Sequence, residues 1–304
     1  VRFRPYVDEG EALSDVLRLS RAMTCKNVLA DLPLGGGKSV IIGDPATDKT
    51  PELLRSFGGF VESLGGAYFC GPDVGTNAHD MDVVEEVTRH VGATNRQMGS
   101  SAPPTAVGTF HAIRATSQHL LGTSDLEGMR VAVQGAGAVG RDLVRHLVDA
   151  GATVVVADID EDAVRQVAAE TGAEVVSPDA ILFVEADVLA PCALGGVLSE
   201  ETIPHLQVRA VCGAANNQLA TPDDGTRLRA RGIHFVPDFV ASAGGVIAGA
   251  AAAGVYPASE MAAKLDGIFD RSLEILRRSD AEGLTPNEVA ERIARELLDE
   301  APER

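Results

Sequence analysis

The sequence predicts an α/β protein of two domains, one of them built on a doubly wound parallel sheet. Three observations carry that expectation. From residue 123 onward, short runs rich in Val and Ala alternate with amphipathic helical segments, a pattern that gives a parallel sheet covered on both faces. A glycine-rich turn, Gly135-Ala136-Gly137-Ala138-Val139-Gly140, stands between one such strand and one such helix. The 304 residues, 45% hydrophobic and 23% charged, suffice for two ordinary domains with real cores.

Apolar residues recur at helical spacing over residues 8–30, at Leu13, Val16, Leu17, Ala22 and Met23. Leu34-Gly35-Gly36-Gly37-Lys38 ends that helix, and Ser39-Val40-Ile41-Ile42 reads as a strand stopped by Gly43-Asp44-Pro45. Thr50-Pro51-Glu52 opens a second helix, with Thr at the cap and Pro at the first helical position. A short strand near 67–70 leads into the loop 71–76, and helices are expected over 77–91 and 104–121. Gly122-Thr123-Ser124 marks a boundary. Beyond it, strands are expected at 130–134, 153–157, 174–176, 188–190, 209–212 and 234–236. One helix follows the glycine-rich turn and another covers 161–171. The uncharged stretch 239–259 reads as a buried Ala/Gly-rich helix, too weakly apolar to span a membrane. Residues 258–300 read as two amphipathic helices parted at Gly283-Leu284-Thr285-Pro286. The expected organisation is a substrate domain over 1–122 and a dinucleotide-binding domain over 123–257. The helices of 258–304 are expected to return to the first domain.

Lys and Arg total 26 against 44 Asp and Glu, a formal net charge of −18. Such a surface repels nucleic acid and anionic membrane, and no basic cluster offsets it. Small molecules are the expected partners. Cys25, Cys70, Cys192 and Cys212 form no C-x-x-C pair and read as reduced thiols of a cytoplasmic protein. The seven histidines show no metal-ligand spacing, so no metal is expected. Val1-Arg2-Phe3-Arg4-Pro5-Tyr6 lacks the apolar run of a secretion signal and an initiator Met, and reads as the start of a fragment or of a trimmed chain.

Val131-Ala132-Val133-Gln134 followed by G-x-G-x-x-G and a helix is the arrangement of a Rossmann-type dinucleotide site. The first Gly makes the tight turn, the second admits the pyrophosphate, and the third packs helix against strand. The helix N-terminus, from Ala138 and Val139, then faces the phosphates with free N–H groups. The next strand ends at Asp158, 23 residues after Gly135, near the ~20 expected of a ribose-binding acid. A carboxylate there repels a 2′-phosphate, and Ile159-Asp160-Glu161-Asp162 offers no arginine to hold one. The expected cofactor is NAD rather than NADP.

Gly35-Gly36-Gly37-Lys38-Ser39 imitates a phosphate-binding P-loop, but Leu32 stands where the motif needs Gly, and a strand rather than a helix follows the lysine. What remains is a lysine on a glycine bend, twelve residues after Lys26. Two close ammonium groups in one cleft would tune one toward general-base work; two solvated surface lysines are the other reading. Asp73, in the loop between a strand and a helix, reads either as a functional carboxylate or as a turn former.

With these residues in view, the chain resembles the Glu/Leu/Phe/Val amino-acid dehydrogenases, most of all their leucine and phenylalanine branch. The matching segments are Met23-Thr24-Cys25-Lys26-Asn27, Leu34-Gly35-Gly36-Gly37-Lys38, Asp73-Val74-Gly75-Thr76 and Val133-Gln134-Gly135-Ala136-Gly137. Pro191-Cys192-Ala193-Leu194-Gly195-Gly196, Ala215-Asn216-Asn217-Gln218 and Pro237-Asp238-Phe239-Val240, running into Ala243-Gly244-Gly245-Val246, carry the match to residue 246. The resemblance implies NAD-dependent, reversible oxidative deamination of an apolar L-amino acid (Phe, Leu or Val), carried out by a homo-oligomer. It implies that Lys26 binds the substrate carboxylate, Lys38 is the base and Asp73 shuttles protons. Asn216 or Asn217 would hold the nicotinamide ribose or the substrate. Gly71, Val246 and Gly249 would line a roomy, apolar side-chain pocket.

Against the family's pattern, the strand-rich segment before the first helix is expected to be missing. Ser242 stands where Asn is usual, and 101–104 lacks a usual Asn. Two alternatives stay open: another NAD-dependent C–N oxidoreductase acting on an amine or imine, or a non-catalytic NAD-binding subunit.

Overall fold

The computed structural model describes residues 1–95 and 101–300. The chain divides into two compact units. The first joins Val1–Ser101 to Val246–Met261, and the second joins Ala102–Gly245 to Ala262–Arg304.

In the first unit, strand β1 (Arg2–Arg4) pairs in parallel with β2 (Val40–Ile42), Phe3 opposite Ile41. Helix α1 (Glu9–Leu29) lies between them in sequence, capped by Asp8, whose side chain accepts from the Glu11 N–H. Helix α2 (Pro51–Ser63) starts as its sequence requires, with the Thr50 side chain accepting from the Leu53 N–H. Helix α3 (Ala78–Glu85) carries a capping box between Asn77 and Asp80. The core gathers Val1, Leu54, Val61, Met81, Val84 and Val91. Each fully buried aliphatic side chain contributes roughly 1.5–3 kcal/mol.

Two expectations are corrected here. The helix expected over 77–91 stops at Glu85, because the chain turns extended to set Val91 in a parallel bridge with Cys70. The run Arg2-Phe3-Arg4, read only as a lead-in, is a strand whose Phe3 is wholly buried.

In the second unit, α4 (Ala102–Leu121) precedes β3 (Arg130–Gln134), α5 (Ala138–Asp149), β4 (Thr153–Ala157), α6 (Glu161–Thr171) and β5 (Glu174–Val175). Then follow β6 (Ala186–Pro191), β7 (Val208–Val211), α7 (Asp223–Ala230), β8 (His234–Phe235) and α8 (Asp238–Ala241). Helix α9 (Gly244–Ala252) begins in this unit and continues in the first. Helices α10 (Met261–Glu282) and α11 (Pro286–Asp299) close the described chain, parted by the Thr285 capping box. All six strands are parallel, in the order β5-β4-β3-β6-β7-β8. That is the doubly wound order, reversing between β3 and β6, where such sheets open a ligand crevice. Val155, Leu189, Leu198, Leu206 and Phe235 lie in its core.

The compact units do not divide at residue 122. Helix α4 belongs to the second, where Thr109 Oγ1 donates to the Ala241 carbonyl at 3.2 Å. Residues 262–300 also belong there rather than to the first unit. Asp266 and Asp280 of α10 sit on His111 and His119 of α4, and the Arg114 guanidinium lies over the Phe269 ring. Residues 301–304, the end of the segment expected to return, lie outside the described residues.

Candidate active site

In the first unit the glycine bend is built against α1. A Cβ on Gly36 would stand 2.1 Å from the Thr24 backbone nitrogen, so only glycine permits the approach. Asn27 Nδ2 donates to the Gly35 carbonyl at 2.6 Å, and Gly37 faces the Tyr68 ring, whose hydroxyl lies 2.9 Å from Ser39 Oγ. This bracing delivers Lys38 to the Asp73 loop, where its Nζ forms an ion pair with Asp73 Oδ2. The pair is well shielded: the side chains are 14% and 16% exposed.

Arg2 Nε donates to the other Asp73 oxygen at 2.9 Å, and the Val74 N–H donates to it at 2.6 Å. Burial alone would raise the Asp73 carboxyl, but the hydrogen bond and charge of Lys38, with Val74 and Arg2, hold it at about 2. Asp73 is therefore an ionised acceptor at neutral pH. Arg2 is in turn tied to buried Asp15 at 3.1 Å, which accepts from the Tyr6 hydroxyl at 2.8 Å. Burial, with Asp15, pushes that hydroxyl up to about 12.

Lys26 lies in the last turn of α1, two residues after Thr24 and half-buried. Gly71 precedes Asp73 in its loop, and a Cβ there would meet only the Gly92 carbonyl oxygen at 3.8 Å. Val246 and Gly249 sit half-buried on α9, with open space beside Gly249.

In the second unit the β3–α5 turn has the form its glycines require. Gly135 takes φ +110°, and a Cβ there would meet the Cys192 backbone at 2.9 Å. A Cβ on Gly140 would fall 2.0 Å from the Gly135 carbonyl oxygen, whereas one on Gly137 meets nothing within 4 Å. Gly137 caps α5 without a side-chain hydrogen bond, so Ala138, Val139 and Gly140 open that helix toward space a diphosphate can fill. Asp158, at the end of β4, accepts from the Ala136 N–H at 2.6 Å and, through its other oxygen, from the Asp160 N–H at 3.0 Å. Each oxygen keeps a lone pair for a ribose hydroxyl. Ile159 beside it is 89% exposed. The turn, the open cap and the carboxylate fit a dinucleotide with an unphosphorylated ribose.

Asn216 and Asn217 are exposed in the loop after β7. Asn217 holds a left-handed φ of +54°, and its N–H donates to Asp238 Oδ2 at 2.7 Å. Burial pushes the Cys70 and Cys192 thiols up to about 11, so neither is a thiolate nucleophile at neutral pH.

Sequence reasoning missed Arg2, Asp15 and Asp238. A three-residue strand has no periodicity to read, and Arg2 meets Asp73 through long-range bonds of its neighbours, Phe3 N–H to the Val74 carbonyl and Thr76 Oγ1 to the Val1 carbonyl. Asp238 was part of a matched segment, but its partner 21 residues away left no local trace.

A parallel doubly wound sheet with such a turn at its switch point defines a dinucleotide-binding oxidoreductase fold. The family descriptions "Glu/Leu/Phe/Val dehydrogenase, dimerisation domain" and "Glutamate/Leucine/Phenylalanine/Valine dehydrogenase" match residues 1–90 and 156–264. Leucine dehydrogenase of Thermoactinomyces intermedius is 41% identical over 98% of this chain and 82% of its own length. Valine dehydrogenase of Streptomyces coelicolor is 44% identical over 100% of this chain and 85% of its own. Among solved structures, L-tryptophan dehydrogenase from Nostoc punctiforme superposes with a TM-score of 0.90 at 38% identity, covering 98% of this chain and 86% of that one. The chain belongs to the Glu/Leu/Phe/Val amino-acid dehydrogenase family, whose members are generally NAD-dependent oxidoreductases. Among the described residues no helix is long and apolar enough to cross a membrane.

Proposed function

We propose that this chain is an NAD-dependent dehydrogenase that reversibly deaminates apolar L-amino acids to 2-oxo acids and ammonia. The observation that carries this reading is the shielded Lys38–Asp73 pair braced by Arg2, because a protein that only binds NAD needs none of it. NAD, when bound, supplies the hydride acceptor for the substrate Cα. Gly135 to Gly140 hold the pyrophosphate, Asp158 the adenosine ribose beside Ile159, and Asn216 or Asn217 the nicotinamide ribose or the substrate.

Lys26 anchors the substrate carboxylate, which fixes where Cα is presented. Loss of hydride leaves a cationic imine. Lys38, in its unprotonated amine form, takes a proton from the attacking water. Asp73, ionised and held by Arg2 on one oxygen, accepts and returns the proton of the amine nitrogen as the carbinolamine collapses to oxo acid and ammonia.

Gly71, Val246 and Gly249 line the side-chain pocket in this reading, and residues 244–253 contain no cation. A substrate glutamate side chain would be buried there unpaired, at a cost of several kcal/mol. A missing methylene costs only about 1–3 kcal/mol, so Leu, Phe and Val should differ modestly. The names of the relatives, acting on leucine, valine and phenylalanine, support the same substrate class. The test is NADH formation across a panel of L-amino acids, with NADP as the comparison cofactor. The reading fails if glutamate is the best substrate, or if no amino acid reduces either cofactor.

We also read the chain as a subunit of a cytoplasmic homo-oligomer. The support is the dimerisation-domain description matched to residues 1–90, and sedimentation of the purified protein checks it.

A further inference from the structure

Three residues far apart in sequence converge at the edge of the parallel sheet opposite the glycine-rich turn. His119 lies in the last turn of α4, His234 opens β8, and Asp280 stands near the end of α10. In register, His234 is level with Ala210, Val188 and Val131, at the start of β3, while Gly135 follows its end. His119 Nε2 lies 2.9 Å from Asp280 Oδ2, and His234 Nδ1 lies 3.8 Å from Asp280 Oδ1. The imidazole centroids are 4.7 Å apart at 78°. One donor atom from each residue falls within 4.8 Å of the others.

We propose that His119, His234 and Asp280 form a site for a divalent transition-metal ion, zinc in the first instance. Two imidazoles and one carboxylate are a donor set that zinc takes with one position left open. Tetrahedral bonds of about 2.0–2.1 Å place donors roughly 3.4 Å apart, so the three atoms need shifts on the order of 1 Å. Asp280 is half-exposed and able to make that adjustment, while His119 is 11% exposed and fixed by its packing. A cavity of about 390 Å³ lined by His234, Asp280, Thr226, Ser279 and Arg229 adjoins two of the three donors and would give the fourth ligand access. It admits water or a small anion, and Arg229 would pair with the anion. The neighbouring Arg209 is engaged by Asp187 and by the Leu120 carbonyl. The ion cross-links the end of α4, the start of β8 and the end of α10, at the edge of the sheet away from the dinucleotide turn. It therefore stabilises the fold without taking part in hydride transfer. The sequence gives no warning of the site, because 115 residues separate the two histidines and 46 more separate His234 from Asp280.

The test uses the full chain, stripped with chelator and titrated with Zn²⁺ or Co²⁺. The expected result is one ion per chain, a raised unfolding temperature, and visible bands of four-coordinate cobalt without sulfur charge transfer. His119→Gln and His234→Gln should each weaken binding at least ~10-fold with circular dichroism unchanged. Should either variant fail to fold, Asp280→Asn on the exposed face of α10 serves instead. Absence of stoichiometric binding by the unmodified chain overturns the proposal. So does affinity unchanged in the variants, or a thiolate signature from the cysteines.

Discussion

Asp73→Asn keeps the shape of the side chain and removes the charge that Lys38 and Arg2 compete for. The carboxyl titrates at about 2 in the folded protein against an ordinary 3.8. A shift of just under two pH units corresponds to ~2.4 kcal/mol, and partial screening reduces the expected contribution to ~1–2 kcal/mol. Because the folded value is the lower one, this stability is fully present above about pH 4 and is lost as pH falls through about 2. The variant also leaves two shielded cations without their partner, which adds loss in the same direction. Urea unfolding of both proteins at neutral pH and near pH 3 measures the gap. It should be at least ~1–2 kcal/mol at neutral pH, and the part that comes from the carboxyl's titration should shrink by roughly half near pH 3. No gap at neutral pH, or one that widens with acid, refutes the reasoning. If Asp73 also shuttles the amine proton, kcat of the variant falls ~10²–10⁴-fold.

Lys38→Ala should lower kcat by a similar ~10²–10⁴-fold while NADH affinity stays nearly constant, and near-normal turnover would remove Lys38 from the mechanism. Asp158→Ser combined with Ile159→Arg should move preference toward NADP, measured as the ratio of kcat/KM for the two cofactors; an unmodified protein that already prefers NADP contradicts the ribose assignment. Gly137→Ala should leave the unfolding temperature unchanged, since its Cβ meets nothing within 4 Å, yet weaken NADH at least ~10-fold by meeting the pyrophosphate. Gly140→Ala should instead cost ~1–3 kcal/mol of stability, because its Cβ falls on the Gly135 carbonyl. The same loss in both variants would mean that neither glycine is specific to the ligand.

The second unit was largely legible because its signals are local. Arg130–Gln134, Thr153–Ala157 and Glu161–Thr171 stand where β-branched runs, a glycine turn and the Asp160 cap put them. The first unit was less so. Helix α3 ends at Glu85 because a long-range bridge between Cys70 and Val91 claims the following backbone, and no window of sequence contains that competition. Lys38 was readable as a lysine on a bend, but its carboxylate partner was not, since Asp73 lies 35 residues away and no local spacing links the two. The division at residue 122 failed for a related reason. Gly122 does end α4, with φ +75°, but where a helix ends and which core it joins are separate questions. Helix α4 packs chiefly on α5 of the second unit, and α10, more than a hundred residues downstream, adds two ion contacts to it.

The first unit is assembled from two pieces of chain, Val1–Ser101 and Val246–Met261, with the bulk of the second unit inserted between them. During synthesis, residues 1–101 leave the ribosome before residues 246–261, the other piece of their unit. They must wait for the intervening polypeptide, which at ~5–20 residues per second is a delay on the order of ten seconds. Closing so long an intervening loop carries an entropic cost that grows only as ~(3/2)RT ln n, and compaction of the inserted residues 102–245 lowers it by shortening the effective tether. The two units are interleaved along the chain: residues 246–261, which complete the first, are made before residues 262–304, which complete the second.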